Sequence, residues 1–164
     1  MKDFRKTYIS LIIIHVVITI GFALVFGTNH PFSSQYIIAD LYPIITSSAT
    51  LATLLYVLGG YLFVIAKENK SRLFSKVALA SLIFTLILMI IWAVTRTLSI
   101  NGAQRNIWLI YVIANYPTAI IFNSIMNIED LHAIELVLTS IPPAIGFMIG
   151  SFIRLICEPQ WRKK

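Results

Sequence analysis

From Tyr8 to Gly27 the chain carries no Asp, Glu, Lys or Arg, and further long apolar blocks follow at about Pro43–Ala66, Val77–Thr95 and Ile134–Cys157. Nothing else in the sequence narrows the possible folds as much. A bilayer core of about 30 Å is crossed by about 20 mostly apolar residues rising about 1.5 Å each, and each block is long enough. Lipid offers the backbone no hydrogen-bond partners, so a spanning segment must satisfy its own amides, as a helix does. Composition agrees. Of 164 residues 58% are hydrophobic and 12% charged, whereas soluble domains carry about 45–50% and about 25%. These features predict an all-α integral membrane protein. Its four-transmembrane-helix bundle forms a single transmembrane domain over residues 1–164, with spans at about 8–27, 43–66, 77–95 and 134–157.

A fifth apolar stretch, Ile107–Met126, decides the topology. If it does not cross, the inner face holds Lys2, Arg5, Lys6, Lys67, Lys70, Arg72, Lys76, Arg154, Arg162, Lys163 and Lys164, and the outer face holds Arg96 and Arg105. That is eleven against two. If it crosses, the tail moves outside and the count becomes seven against six. Cytoplasmic loops are enriched in Lys and Arg, which favours four spans with both termini cytoplasmic. Pro117 also removes a backbone donor and disfavours helical angles at Tyr116, splitting the stretch into Ile107–Asn115 and Pro117–Met126. Trp108, Tyr111 and Tyr116 are residue types of the headgroup layer. The stretch at about 107–126 is therefore expected to be a re-entrant or interfacial helical segment on the outer face, with a proline-kinked fifth span as the alternative. The loop Lys67–Lys76 is expected to be short, basic and internal.

The net charge of +6 does not imply nucleic-acid binding, because the basic residues flank apolar blocks, where they meet anionic headgroups. Lys2, Arg5 and Lys6 ahead of the first block resemble the start of a signal peptide. The block is longer than a usual signal core and lacks a small-x-small cleavage pattern beyond it, so it reads as a retained span. Cys157 is the single cysteine, which excludes an intrachain disulfide and a Cys-based metal site. No motif calls for a cofactor, and no stretch carries a family signature. Short loops suit a bacterial cytoplasmic membrane.

Several residues are candidates for function. His15 is the ionisable side chain well inside the first span, and such residues are functional candidates by default. Its bland reading is a neutral histidine bonded to a carbonyl or hydroxyl. Glu129, Asp130, His132 and Glu135 form an outer acidic group that, with His30 of the first loop, has the residue types for cation binding or acid–base work. Acidic residues near a helix start are also ordinary dipole partners. Arg96, at the outer end of the third span, is expected to snorkel or to pair with Asp40, Glu129, Asp130 or Glu135. Trp108 and Tyr116 are candidate walls of a shallow outer pocket. Gly146 and Gly150 form a GxxxG pair, which lets helices approach closely, either inside the bundle or with a partner. Span two adds a small-residue face through Thr46, Thr50 and Thr53, followed by Gly59 and Gly60. Pro142–Pro143 should free the carbonyls of Leu138 and Thr139, and something must meet them.

The leading functional expectation is a non-enzymatic accessory, regulatory or immunity-type subunit. It would act through a membrane-protein partner or a homo-oligomer within the lipid bilayer. A transporter component for a small molecule or ion is the first alternative, suggested by the broken segments. An outer-face membrane enzyme using His30, His132 and the acidic group is the second.

Overall fold

The computed structural model describes residues 2–26, 42–63, 70–101, 107, 109–119 and 134–157, and among these every regular element is helical, with no strand. Helix α1 covers Lys2–Phe26, α2 Tyr42–Phe63, α3 Lys70–Ile100, α4 Leu109–Ala114 and α5 Pro142–Cys157. A 3₁₀ helix, Ile134–Ser140, runs into α5. Three stretches are long and apolar enough to cross a membrane: Phe4–Leu24, Leu73–Ile100 and Val137–Cys157. In α2, Thr50–Phe63 is a shorter apolar helix.

Where the helices begin and end departs from the apolar blocks for local reasons. Helix α3 starts at Lys70, within what the charge pattern marks as a loop. The run KSRLFSK contains no Gly or Pro and is rich in good helix formers, and Leu73 is buried, so the helix continues through it. At about 46 Å the helix is longer than the hydrocarbon core, so its basic first turns are overhang. Pro43 sits in the first turn of α2, where its missing N–H costs nothing. The last apolar block is not one continuous α-helix. The two prolines halt the α-type pattern, and the chain uses a tighter turn, with Ile141 N–H donating to the Leu138 carbonyl at 3.1 Å. The α-helix then starts afresh at Pro142.

Close contacts give the helix directions. Gly146 lies over Thr53 and Tyr56, Gly150 over Val57 and Tyr61, and Arg154 reaches Tyr61 and Leu62. Residue numbers rise together, so α5 runs parallel to α2. Ile14 lies against Gly59 and His15 against Tyr56, and Phe74 near the start of α3 meets Phe152 near the end of α5 with ring centroids 5.9 Å apart. One end of the bundle therefore gathers the start of α1, the end of α2, the start of α3 and the end of α5. We call it the near end. The far end holds the end of α3 and the 3₁₀ helix.

The core is a column of Leu11, Ile14, Ile18, Tyr56, Val77, Phe84, Leu88 and Phe147. The outside is aliphatic. Val17 is 63% exposed, Leu24 77%, Ile90 60% and Ile156 63%. In water such a surface would aggregate, whereas a lipid environment is compatible with it.

Candidate functional site

Polar side chains meet where the 109–119 segment enters the bundle. His15 lies about midway along α1 and is 6% exposed. Its Nε2–H donates to the Ala114 carbonyl at 2.7 Å, and a carbonyl only accepts, so this nitrogen carries the proton. The neutral ring then accepts the Tyr56 hydroxyl proton at Nδ1, 2.8 Å away. Phe84 of α3 packs edge-on against the imidazole at 4.9 Å. One side chain thus joins α1, α2, α3 and the 109–119 segment. The sequence marks His15 but not its partners, which lie 41 and 99 positions away.

The carbonyl His15 holds is exposed by a proline break. Asn115 N–H donates to the Tyr111 carbonyl and Ala119 N–H to the Asn115 carbonyl, both at 2.9 Å, so helical bonding resumes on either side. Pro117 has no N–H to give Ile113. The interruption falls at Asn115, and residues 116–119 are again helical. Tyr116 is therefore not driven out of helical geometry, as the residue before a proline usually is. It opens a new turn, and Pro117 then occupies an early position where a donor is not required.

Asn115 answers the other break. It has no solvent contact, and its Nδ2 donates to the Thr139 carbonyl at 2.8 Å and to the Tyr111 hydroxyl at 3.1 Å. Thr139 is the residue whose carbonyl would accept from position 143 in an α-helix, and that position is proline. Asn115 supplies the missing donor. Its Oδ1 accepts from the Thr118 hydroxyl at 2.6 Å. The Tyr111 hydroxyl lies 2.6 Å from Thr139 Oγ1 and 2.9 Å from Ser140 Oγ. The other freed carbonyl, Leu138, takes the Ile141 amide. The prolines were legible in the sequence. Asn115 drew notice only as a capping side chain, because its long-range partner is 24 residues on.

Tyr116 is 6% exposed and Tyr111 3%, so the segment is inserted among the helices and does not lie flat on an interface. Arg96 lies half-buried with its guanidinium 5.6 Å from the Trp92 ring centroid, a cation–π arrangement one turn apart on α3. The acidic partners anticipated for it, Asp40, Glu129 and Asp130, lie outside the described residues, as do His30, Trp108 and His132. For Glu135 only the backbone, in the 3₁₀ helix, is described. Among the described residues no three of His, Cys, Asp and Glu come together in a metal-sized group.

The glycines form a second constellation. A methyl on Gly150 would overlap the Val57 carbonyl oxygen, and one on Gly60 the Phe147 carbonyl oxygen. Gly146 faces Tyr56 Cβ, at 2.8 Å from where its own Cβ would be. The GxxxG pair thus lies against α2 of the same chain, and Gly60 returns the contact. At the near end of this seam Arg154 Nη1 donates to the carbonyls of Tyr61 and Leu62 at 2.7 and 2.8 Å. These are last-turn carbonyls of α2, which have no amide ahead of them. Set against known protein families, curated proteins and solved structures, the chain matches none of them.

Proposed function

We propose that this chain is a non-enzymatic, multi-pass membrane subunit that works through other membrane proteins or further copies of itself. The observation that carries this is where the polar capacity goes. Both His15 nitrogens, the Asn115 amide and the Thr139 carbonyl are spent on partners inside the chain, while the helix faces turned outward are aliphatic. A closed interior suits a body that presents a surface better than one that performs chemistry. The parallel run of α2 and α5 supports four crossings with 109–119 as a re-entrant segment. The basic residues at the near end support a bacterial inner membrane with that end, and both termini, in the cytoplasm. Extraction in mild detergent should yield a stoichiometric partner or a defined homo-oligomer. A monodisperse monomer with no partner would count against the proposal.

Transport of a small molecule or ion is the second reading. It is favoured by two discontinuous segments, the kinked 109–119 stretch and the 3₁₀ entry to α5, meeting through polar bonds within the bundle. Broken helices of this kind mark transporter sites. Flux in proteoliposomes above that of empty vesicles would support it, and background flux across a panel of ions and small solutes would argue against it.

A further inference from the structure

We infer that the 109–119 segment is a plug that closes a polar vestibule opening at the far end of the bundle, and that His15 is the latch holding it shut. The inference goes beyond the partner-protein reading and rests only on the proposed orientation, far end outward.

Three observations converge. First, the printed bonds that tie the segment to the rest of the chain are side-chain hydrogen bonds: His15 to the Ala114 carbonyl, Asn115 to the Thr139 carbonyl, and Tyr111 to Thr139 and Ser140. Its outward residues Ile110 and Ile113 are 54% and 64% exposed, so much of its aliphatic surface is turned away from the bundle. Second, the buried surroundings differ on the two sides of His15. Toward the far end lie Thr95, Ser99, Thr139 and Ser140. Toward the near end lie Leu11, Leu73, Val77, Phe147 and Leu155, with glycines closing α2 on α5. Water entering from the far end would find hydroxyl and carbonyl partners as far as His15, and apolar packing beyond it. Third, a kinked backbone at this depth is tolerated where it is buried in protein or lines a water-filled cavity. Both arrangements are open to this segment, closed against His15 or withdrawn into a wetted vestibule. A continuous apolar span would have only the first.

Mechanically, the latch is one bond. Withdrawing the segment breaks the His15 Nε2–H to Ala114 carbonyl bond. Tyr56 holds the imidazole tautomer that offers that proton, so Tyr56 is a positioning residue for the latch.

The test uses a membrane-impermeant maleimide on intact cells carrying the full chain with Cys157→Ser. Ser140→Cys probes the far side of His15 and Ser151→Cys the near side; both serines are fully buried. His15→Phe removes the donor while keeping a ring. Losing one interhelical hydrogen bond should raise the Ser140→Cys labelling rate by about three- to tenfold, with Ser151→Cys still unreactive. His15→Gln, whose amide can donate to the same carbonyl, should restore slow labelling, and Tyr56→Phe should raise the rate less than His15→Phe does. If His15→Phe fails to insert, Tyr56→Phe alone decides the matter. An unchanged Ser140→Cys rate in the inserted variants overturns the plug, and equal gains at positions 140 and 151 overturn it as general loosening. Labelling of Ser140→Cys only after permeabilisation would overturn the orientation instead.

Discussion

Asn115 occupies the place in the structure where an error is least forgivable. It is buried without solvent contact, and both ends of its amide are engaged. Removing it leaves the Thr139 carbonyl facing a proline that cannot donate. Asn115→Ala should therefore destabilise the protein by about 1–2 kcal/mol, read as a lowered midpoint of unfolding in detergent. Asn115→Asp should do no better, since an ionised carboxylate lacks the donor. The glycines supply an internal contrast. Gly60→Ala and Gly150→Ala each force a methyl into a backbone carbonyl across the α2–α5 seam, and backbone cannot swing aside as a side chain can. Each should cost about 2–3 kcal/mol by prying the helices apart. At Gly21 a Cβ would meet nothing within 4 Å, so Gly21→Ala should stabilise α1 by about 0.5–1 kcal/mol. Midpoints for the three variants should fall on opposite sides of the parent, and the same sign for all three would mean the seam is not where stability resides.

At the scale of elements, the α2–α5 pair is fastened at its near end by Arg154. The guanidinium meets two last-turn carbonyls and leans toward the Tyr61 ring, 5.9 Å from its centroid. A cation there also complements the negative end of the helix dipole. Arg154→Met should cost about 1–2 kcal/mol, and Arg154→Lys should recover part of it, because an ammonium restores charge without the two-pronged geometry. Thermal unfolding of the two variants beside the parent checks the order. What the sequence disclosed about elements follows from the range of the forces involved. Apolar length is local, so the helices were visible as blocks. Proline chemistry is local, so breaks near Pro117 and Pro142–Pro143 were visible too. Helix ends were less so, because polar flanks such as Lys70–Lys76 are helical by propensity while looking like a loop by charge. Partnerships were hidden. Gly59–Gly60 and Gly146–Gly150 stood out separately as small-residue pairs, but only the fold lays one on the other. The bond between His15 and Ala114 joins two segments 99 residues apart.

For the molecule as a whole, parity is the consequence that matters. Helices α1 and α2 run in opposite senses, α5 runs with α2, and the start of α3 lies beside the end of α5. A chain that leaves the near end on α1 and α3 and returns to it on α2 and α5 has its two termini on one side. The 109–119 segment can add no net crossing, because the 3₁₀ helix that follows it begins at the far end again. The charge distribution then selects the side. Lys2, Arg5, Lys6, Lys70, Arg72, Lys76 and Arg154 cluster toward the near end, with Arg96 toward the other. Moving several cations across a membrane against that bias is disfavoured, so one orientation should dominate. Cys157, exposed at the last turn of α5, reports it directly. In intact cells it should resist an impermeant maleimide, and it should react once the membrane is opened. A reporter active only in the cytoplasm should work at either terminus. Activity at the amino end with none at the carboxyl end, together with Cys157 labelling from outside, would mean an odd number of crossings. The parallel packing of α2 and α5 could not then describe the protein in its membrane.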